Sequence, residues 1–402
     1  MKTNKIMAGL ALAFSSSAAM AVEIATPAIS VVLDGYYQDG DRAMAMREDG
    51  FGLGHTELAI SSSIDDMFFG KLTTILETHD GDTEVELEEA FIQTLAMPAG
   101  FSVRAGRFLS DFGYLNNQHL HSDAFVERPA VYRGFFGGHY FDDGVRLNWV
   151  APTDLYWTLG VEGFSGDALQ AEGIVEPDNI GVVHGYSKFG GDIGRSHSWQ
   201  LGLSYLHNAN GRSDMEHDHG AEEGHGHADE EHGHSHGVSF TGETLYGIDA
   251  VYKWAPNGNY KNQHLTLSAE YLLLDDLFVT EHHDEHAEEE HDEHGSEAPS
   301  DYSGWYASAV YQFNPNWSAG VRYGELDAAL VHEEEHEGEH QLHFEQGKLK
   351  ETELMLAWHH SHFSTVRLQY SHIDDGLFES KDDNVITLQF IMTLGAHGAH
   401  QF

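Results

Sequence analysis

Histidine and carboxylate crowd into three short stretches of this chain. Between Met215 and His236, the residues His217, His219, His225, His227, His232, His234 and His236 are interspersed with Asp, Glu and Gly. A second stretch, Glu281–Ser300, holds His282, His283, His286, His291 and His294. A third, His332–Gln346, holds His332, His336, His340 and His343. Imidazole nitrogen and carboxylate oxygen are the ligands that borderline divalent ions such as zinc prefer. H-x-H units such as His217/His219 can bring two imidazoles to one ion from an extended backbone. The H-x-x-x-H spacing recurs at His282/His286, His332/His336 and His336/His340. With the first tract widened to 207–239, the three hold 17 of the 31 histidines and 23 of the 66 acids, and one basic residue, Arg212. A solvated loop accounts for the charge but not for the histidine, since Ser, Lys or Gln would solvate a loop equally well.

The chemistry these tracts suggest is capture, not turnover. A catalytic zinc site needs three fixed ligands, an open position and a second shell, which a glycine-softened tract does not pre-organise. The only matches to H-E-x-x-H (His332–His336 and His336–His340) and to Gly-x-Ser-x-Gly (Gly233–Gly237) fall inside these low-complexity tracts, and there is no P-loop, so an enzyme is not expected. Ligand type points to a divalent transition metal, with zinc foremost. Copper(II) and nickel also suit imidazole, whereas zero cysteines and a single tract methionine, Met215, argue against a copper(I) specialist. Imidazole must be neutral to ligate, so capture should weaken as pH falls through about 6.5.

The rest of the chain must position these tracts. Lys2 and Lys5 precede the apolar run 6–14 and a small-residue stretch ending Ala19-Met20-Ala21, the pattern of a secretory signal peptide over residues 1–21. Residues 22–402 would form the mature protein. No later stretch reaches the roughly 18 apolar residues of a spanning helix. The formal charge of −46 repels nucleic acid and gathers cations.

Outside the tracts the pattern has period two. Ile29, Val31, Leu33 and Tyr37 share a face, as do Val85/Leu87/Phe91, Val145/Leu147/Trp149, Leu155/Trp157/Leu159/Val161, Leu265/Leu267/Ala269/Tyr271 and Ile386/Leu388/Phe390/Met392/Leu394. Repeated segments of this kind, about ten residues long and rich in aromatics, predict an all-β, antiparallel transmembrane barrel in the outer membrane of a Gram-negative cell. Sixteen strands are expected, near 29–37, 51–63, 68–77, 84–95, 101–108, 144–151, 155–164, 180–191, 198–207, 242–255, 262–274, 303–313, 317–325, 350–359, 363–373 and 384–394. Short and long connections then alternate, and all three tracts (207–239, 281–300 and 332–346) fall on the long, extracellular set. The first strand opens soon after the cleavage site, so no plug domain is expected. Terminal Phe402 resembles a barrel-assembly signal.

One long connection, 108–143, is aromatic and not His/Glu-rich. It follows Val103-Arg104-Ala105-Gly106-Arg107-Phe108, passes through Asp111-Phe112-Gly113-Tyr114, Asn117 and Phe125-Val126-Glu127-Arg128-Pro129, and returns at Asp142-Asp143-Gly144-Val145. This order resembles the phosphate-selective porin family, porins O and P. The resemblance implies a sixteen-stranded barrel, plausible as a homotrimer, in which this loop folds into the lumen and narrows the pore. Anion selectivity does not follow, because 20 basic residues stand against 66 acids. The His/Glu arrays are similar to those of porin-like proteins associated with zinc acquisition. Glu127, Arg128 and Arg133 are expected either to pin the loop to the wall through salt bridges or to form a charged pore constriction. The leading expectation is a channel in outer-membrane lipid that collects and passively admits divalent metal. The alternatives are a metal-buffering or adhesive surface barrel, and a general or anion-type porin.

Overall fold

The computed structural model describes residues 26–79, 82–171, 174, 177–213, 238–279, 298–336, 339–378, 380 and 382–395. Seventeen strand segments follow in chain order: β1 Ala28–Asp39, β2 Gly50–Leu53, β3 Thr56–Ser63, β4 Phe68–His79, β5 Asp82–Thr94, β6 Phe101–Leu109, β7 Phe141–Val150, β8 Tyr156–Phe164, β9 Val182–Ile193, β10 His197–Asn208, β11 Thr244–Trp254, β12 His264–Asp275, β13 Asp301–Asn314, β14 Trp317–His336, β15 Glu339–Ser361, β16 Ser364–Asp375 and β17 Asn384–Gly395. Each pairs antiparallel with its sequence neighbours, except that β2 and β3 both pair with β1. They are two halves of one stave, interrupted at Gly54-His55. The sheet closes where β1 meets β17, from Ser30↔Gly395 to Asp39↔Ile386. The result is a closed barrel of sixteen staves.

Alternation turns this barrel inside out relative to a soluble core. Along β17, Ile386, Leu388, Phe390 and Leu394 point outward and stay exposed, while Thr387 and Gln389 are buried inside. In β1, Ile29, Leu33 and Tyr37 face out, and Asp34 and Gln38 face in. Closure pairs the first strand with the last, so the sheet has no free end strand, as hydrocarbon surroundings require. Aromatic contacts border this apolar surface at both ends. Phe101–Trp149, Trp149–Trp157 and Trp157–Phe189 lie near the short turns, and Tyr37–Phe51, Tyr205–Tyr246 and Trp305–Tyr323 lie toward the long loops. Two aromatic girdles around an apolar band are what a bilayer-embedded barrel presents.

The strand expectations hold within a few residues, with two informative departures. The pattern Val85/Leu87/Phe91 does not lie on one face. The β4–β5 register shifts between Thr73 and Thr74, so that Thr73 faces Glu89 and Thr74 faces Leu87. Glu88 is the extra residue of a β-bulge. Before it, Val85 and Leu87 face lipid; after it, Phe91 faces inward, and both Glu88 and Glu89 are buried in the lumen. The second departure is the third tract, expected as a loop over 332–346. Its ladder continues without a break from Trp317↔Trp358 through His332↔His343 to His336↔Glu339. Within that ladder Leu330 and Val331 stand opposite Glu345 and Phe344. Main-chain pairing persists far beyond the neighbouring strands.

Candidate functional site: the inner loop and the lumen

The loop from Ser110 to Tyr140 enters the barrel and is clasped at its neck. Asn116 Nδ2 donates to the carbonyls of Ser110 (2.9 Å) and Tyr140 (2.8 Å), and Tyr140 N donates to Asn116 Oδ1 (2.7 Å). Within the loop, α1 spans Ala130–Phe136 with Pro129 as its N-cap, and all seven of its residues are buried. Gly137, at φ 62°, ends it in the left-handed conformation that favours glycine. Phe112, Phe136, Tyr140 and Phe164 then pack in a chain of ring contacts that fills the lumen beside β8.

One carboxylate anchors the loop to the opposite wall. Glu270 of β12 accepts from the backbone N–H groups of Tyr114 (2.8 Å) and Leu115 (3.1 Å), and from the hydroxyls of Tyr132 (2.8 Å) and Tyr306 (2.7 Å). Gly113 makes this approach possible, because a Cβ there would sit 2.1 Å from Glu270 Oε2 and 2.7 Å from the Tyr132 hydroxyl at φ +58°. Gly113→Ala should therefore cost about 2–3 kcal/mol, from the strained backbone and the displaced carboxylate. A lower urea midpoint in refolded protein is the expected result; an unchanged midpoint would show that the contact is unimportant.

Glu127, Arg128 and Arg133 lie between loop and wall, each no more than 2% exposed. Arg133 forms a two-pronged pair with Glu351 of β15 at 2.6 and 3.1 Å. Arg128 pairs with Asp123 and donates to the carbonyls of Leu115 and Gln118, both at 2.7 Å. Glu127 lies 3.7 Å from Arg47 and accepts from Met46 N. These are pinning contacts, and the side chains face packed protein instead of open lumen. Arg42 adds a second cation to Glu351 at 3.0 Å and reaches Glu353 at 3.3 Å, so the connection between β1 and β2 is held inward as well.

The first two tracts lie outside the described residues, with His217, His219, His225, His227, His232, His234, His236, His282, His283, His286, His291 and His294. Of the third tract, His332 and His343 face each other across the hairpin, and His336 and His340 fall on its outer ladder. The flanks of all three tracts converge. Ser213, just before the first, pairs with the segment before the second: Ser213 N donates to Leu277 O (3.0 Å), and Val279 N donates to Ser213 O (3.1 Å). Phe278 in turn meets Phe344 of the third, with ring centroids 5.2 Å apart.

A histidine–carboxylate cluster that sequence reasoning missed sits in the lumen. The loop contributes His119, His121 and His139. The wall contributes His55 at the β2–β3 interruption, Glu57 of β3, Lys71 and Glu77 of β4, and Glu88 and Glu89 of the bulge. His119 and His139 lie 3.0 and 3.1 Å from the two oxygens of Glu88, and His55 lies 3.3 Å from one of them. His119 also approaches Glu57 at 3.5 Å and Glu89 at 3.2 Å, while His121 hydrogen-bonds Glu57. Lys71 pairs with Glu89 and lies 2.8 Å from His119 Nε2. Burial draws the His119 imidazole toward neutrality, but Glu57, Glu88 and Glu89 outweigh it and hold its pKa well above the ordinary value. Burial wins at His139, where Glu88 opposes it and the neighbouring His55 reinforces it, so that pKa lies below.

Nearer the short turns, a cavity of about 360 Å³ opens beneath the loop, lined by Arg104, Arg146 and Lys188 with Asp111 the one acid. Arg146 is paired with Glu162, and Lys188 with Asp111 at 2.6 Å. Arg104 donates to the neutral Gln93 and lies over the ring of Phe91, 4.1 Å from its centroid.

Solved structures share this architecture. The trimer form of OmpT, an outer membrane protein of Vibrio cholerae, matches with a TM-score of 0.54 at 9% identity, over 92% of this chain and 100% of that one. The fold is that of an outer-membrane porin. The outer membrane channel DcaP of Acinetobacter baumannii gives 0.53 at 12% identity, covering 92% and 97%. An anion-selective porin from Comamonas acidovorans gives 0.53 at 11%, covering 92% and 100%. In sequence, the chain is 29% identical over 369 residues to an uncharacterized protein of Aquifex aeolicus, covering 88% of this chain and 70% of that protein. No family model matches.

Proposed function

We propose that this protein is an outer-membrane channel that passively admits divalent transition metal, zinc foremost, and gathers it with its three His/Glu tracts. The convergence of the tract flanks through Ser213, Phe278 and Phe344 carries the reading. Antiparallel alternation sends all three to the end opposite the short turns, and these contacts bring their bases together at one rim. A shared collecting surface follows more naturally than three independent tails. The ligand set, imidazole and carboxylate without thiolate, supports a borderline divalent ion. A homotrimer is part of the proposal, supported by the trimer form of OmpT.

A second reading has its own observation. The cavity under the loop presents Arg104, whose guanidinium donates to the neutral Gln93, along with Arg146 and Lys188, so small anions could pass there. Reversal potentials across planar bilayers in a zinc chloride gradient separate the two. The metal reading expects cation selectivity that persists in Arg104→Gln. Chloride selectivity that falls in Arg104→Gln would establish the anion reading instead, and no conductance at all would sink both.

A further inference from the structure

The lumenal cluster is built like a metal site, and its case is independent of the tracts. Three imidazoles, those of His55, His119 and His139, converge on Glu88, which is fully buried. Among the described residues, both Glu88 oxygens, His55 Nε2, His119 Nδ1 and both ring nitrogens of His139 lack an aligned hydrogen bond. Buried polar atoms without partners are rare and costly. Here six atoms without aligned hydrogen bonds lie in one place, and with Glu57 their residues form two overlapping ligand sets, His55–Glu88–His139 and Glu57–Glu88–His119.

The spacing fits a shared ion better than mutual pairing. Ligands bound at about 2.0–2.2 Å to one tetrahedral or octahedral centre sit roughly 3.0–3.5 Å apart. The separations here are 3.0, 3.1, 3.3 and 3.5 Å, without the alignment of hydrogen bonds. An outer layer is also in place. His55 Nδ1 contacts Glu77 at 2.9 Å, leaving Nε2 toward the centre, and His119 Nε2 contacts Glu89 at 3.2 Å, leaving Nδ1 toward it. A carboxylate behind a ligating imidazole fixes the ring and its tautomer. Charge agrees: Glu57, Glu77, Glu88 and Glu89 gather around the three imidazoles, with Lys71 paired to Glu89. Finally, the wall breaks its own alternation twice to bring these groups inward, at the Glu88 bulge and at Gly54-His55.

We infer that this cluster holds a resident divalent first-row metal, one ion or two bridged by Glu88, that staples the inner loop to strands β3–β5. His119 and His139 would ligate from the loop, and His55, Glu57 and Glu88 from the wall. The test uses the full chain, refolded with zinc and passed over a chelating resin that strips weakly held ions. Retained zinc is measured by mass spectrometry, and an anomalous difference map is collected at the zinc edge from wild-type crystals. Wild type should retain about one or two zinc ions per chain, Glu88→Gln should lose them, and the map should peak beside Glu88. Deleting the tracts should leave this retained zinc unchanged, so its presence is read separately from rim capture. A wild type that retains none, equal retention in Glu88→Gln, or a map without a peak there would overturn the inference and leave an imidazolium–carboxylate network. If Glu88→Gln fails to give the compact gel band of a folded barrel, the wild-type map decides alone.

Discussion

Glu270→Leu is expected to loosen the inner loop more than any other single change outside the His/Glu cluster. Glu270 accepts from four donors: two main-chain N–H groups at the loop entrance and two tyrosine hydroxyls. Leucine fills similar space and accepts from none. Each donor left buried and unpaired costs about 1–3 kcal/mol, so even with partial rescue by lumenal water the loss should exceed about 3 kcal/mol. The effect should read in two ways, as a lower urea midpoint in lipid vesicles and as larger, noisier single-channel conductance once α1 leaves the wall. Glu270→Gln retains one acceptor oxygen and should cost roughly 1 kcal/mol, since tyrosine hydroxyls can turn to accept from the new amide. If Glu270→Leu leaves both stability and conductance unchanged, Glu270 does not anchor the loop.

The largest functional effect is expected from removing the three tracts together while keeping their flanks. Short Gly-Ser joints would replace Glu216–His236 and Glu281–Glu297, and a two-residue turn would replace the hairpin tip within His332–His343. Ser213, Phe278 and Phe344 remain, so folding and conductance should hold. Zinc uptake into cells at limiting zinc should fall roughly tenfold or more, within the range by which focused charge and ligand density raise local ion concentration. The sign with pH is fixed by the ligand. Neutral imidazole binds and imidazolium does not, so the wild-type advantage should be full above about pH 7 and fade as pH falls through about 6.5. Uptake by the shortened protein should lack that step. Equal uptake by both proteins at neutral pH would mean that the tracts do something other than feed the pore.

The barrel was legible because its wall obeys one rule. Strands between lipid and a polar lumen must alternate, so sixteen segments could be placed from Ile29 to Leu394. Where the wall departs from that rule, sequence reasoning failed, and those departures lie at the cluster. Val85, Leu87 and Phe91 read as one face because the bulge at Glu88 was not foreseen. The signal was present. Two adjacent acids between Leu87 and Ile92 would put a carboxylate against lipid in any regular strand, and a bulge removes that penalty. Gly54-His55-Thr56-Glu57 carries the same signal, with all four residues buried. His119, His121 and His139 were visible as loop histidines, but their partners lie 30 to 84 positions away in sequence, from Glu89 and Glu88 through Glu57 to His55, and only closure of the barrel brings them together. The third tract misled through composition, which said loop, while its main chain continues the β14–β15 ladder.

On the proposed function, the meeting of the three tract bases at one rim would also set a selectivity by valence that needs no ligation. With the tracts gathered over the mouth as proposed, their 23 carboxylates and one arginine would make that rim a fixed-charge phase with a Donnan potential. In such a phase the enrichment of a doubly charged cation is the square of that for a singly charged one, so a sodium excess of about tenfold implies about a hundredfold for zinc or calcium. Anions are depleted by the inverse factor. Acidification would switch off both effects at once, because 17 imidazolium charges would nearly discharge the 23 carboxylates. High salt, by contrast, would collapse the valence discrimination while sparing the imidazole ligands, and so separates the two contributions in a single titration.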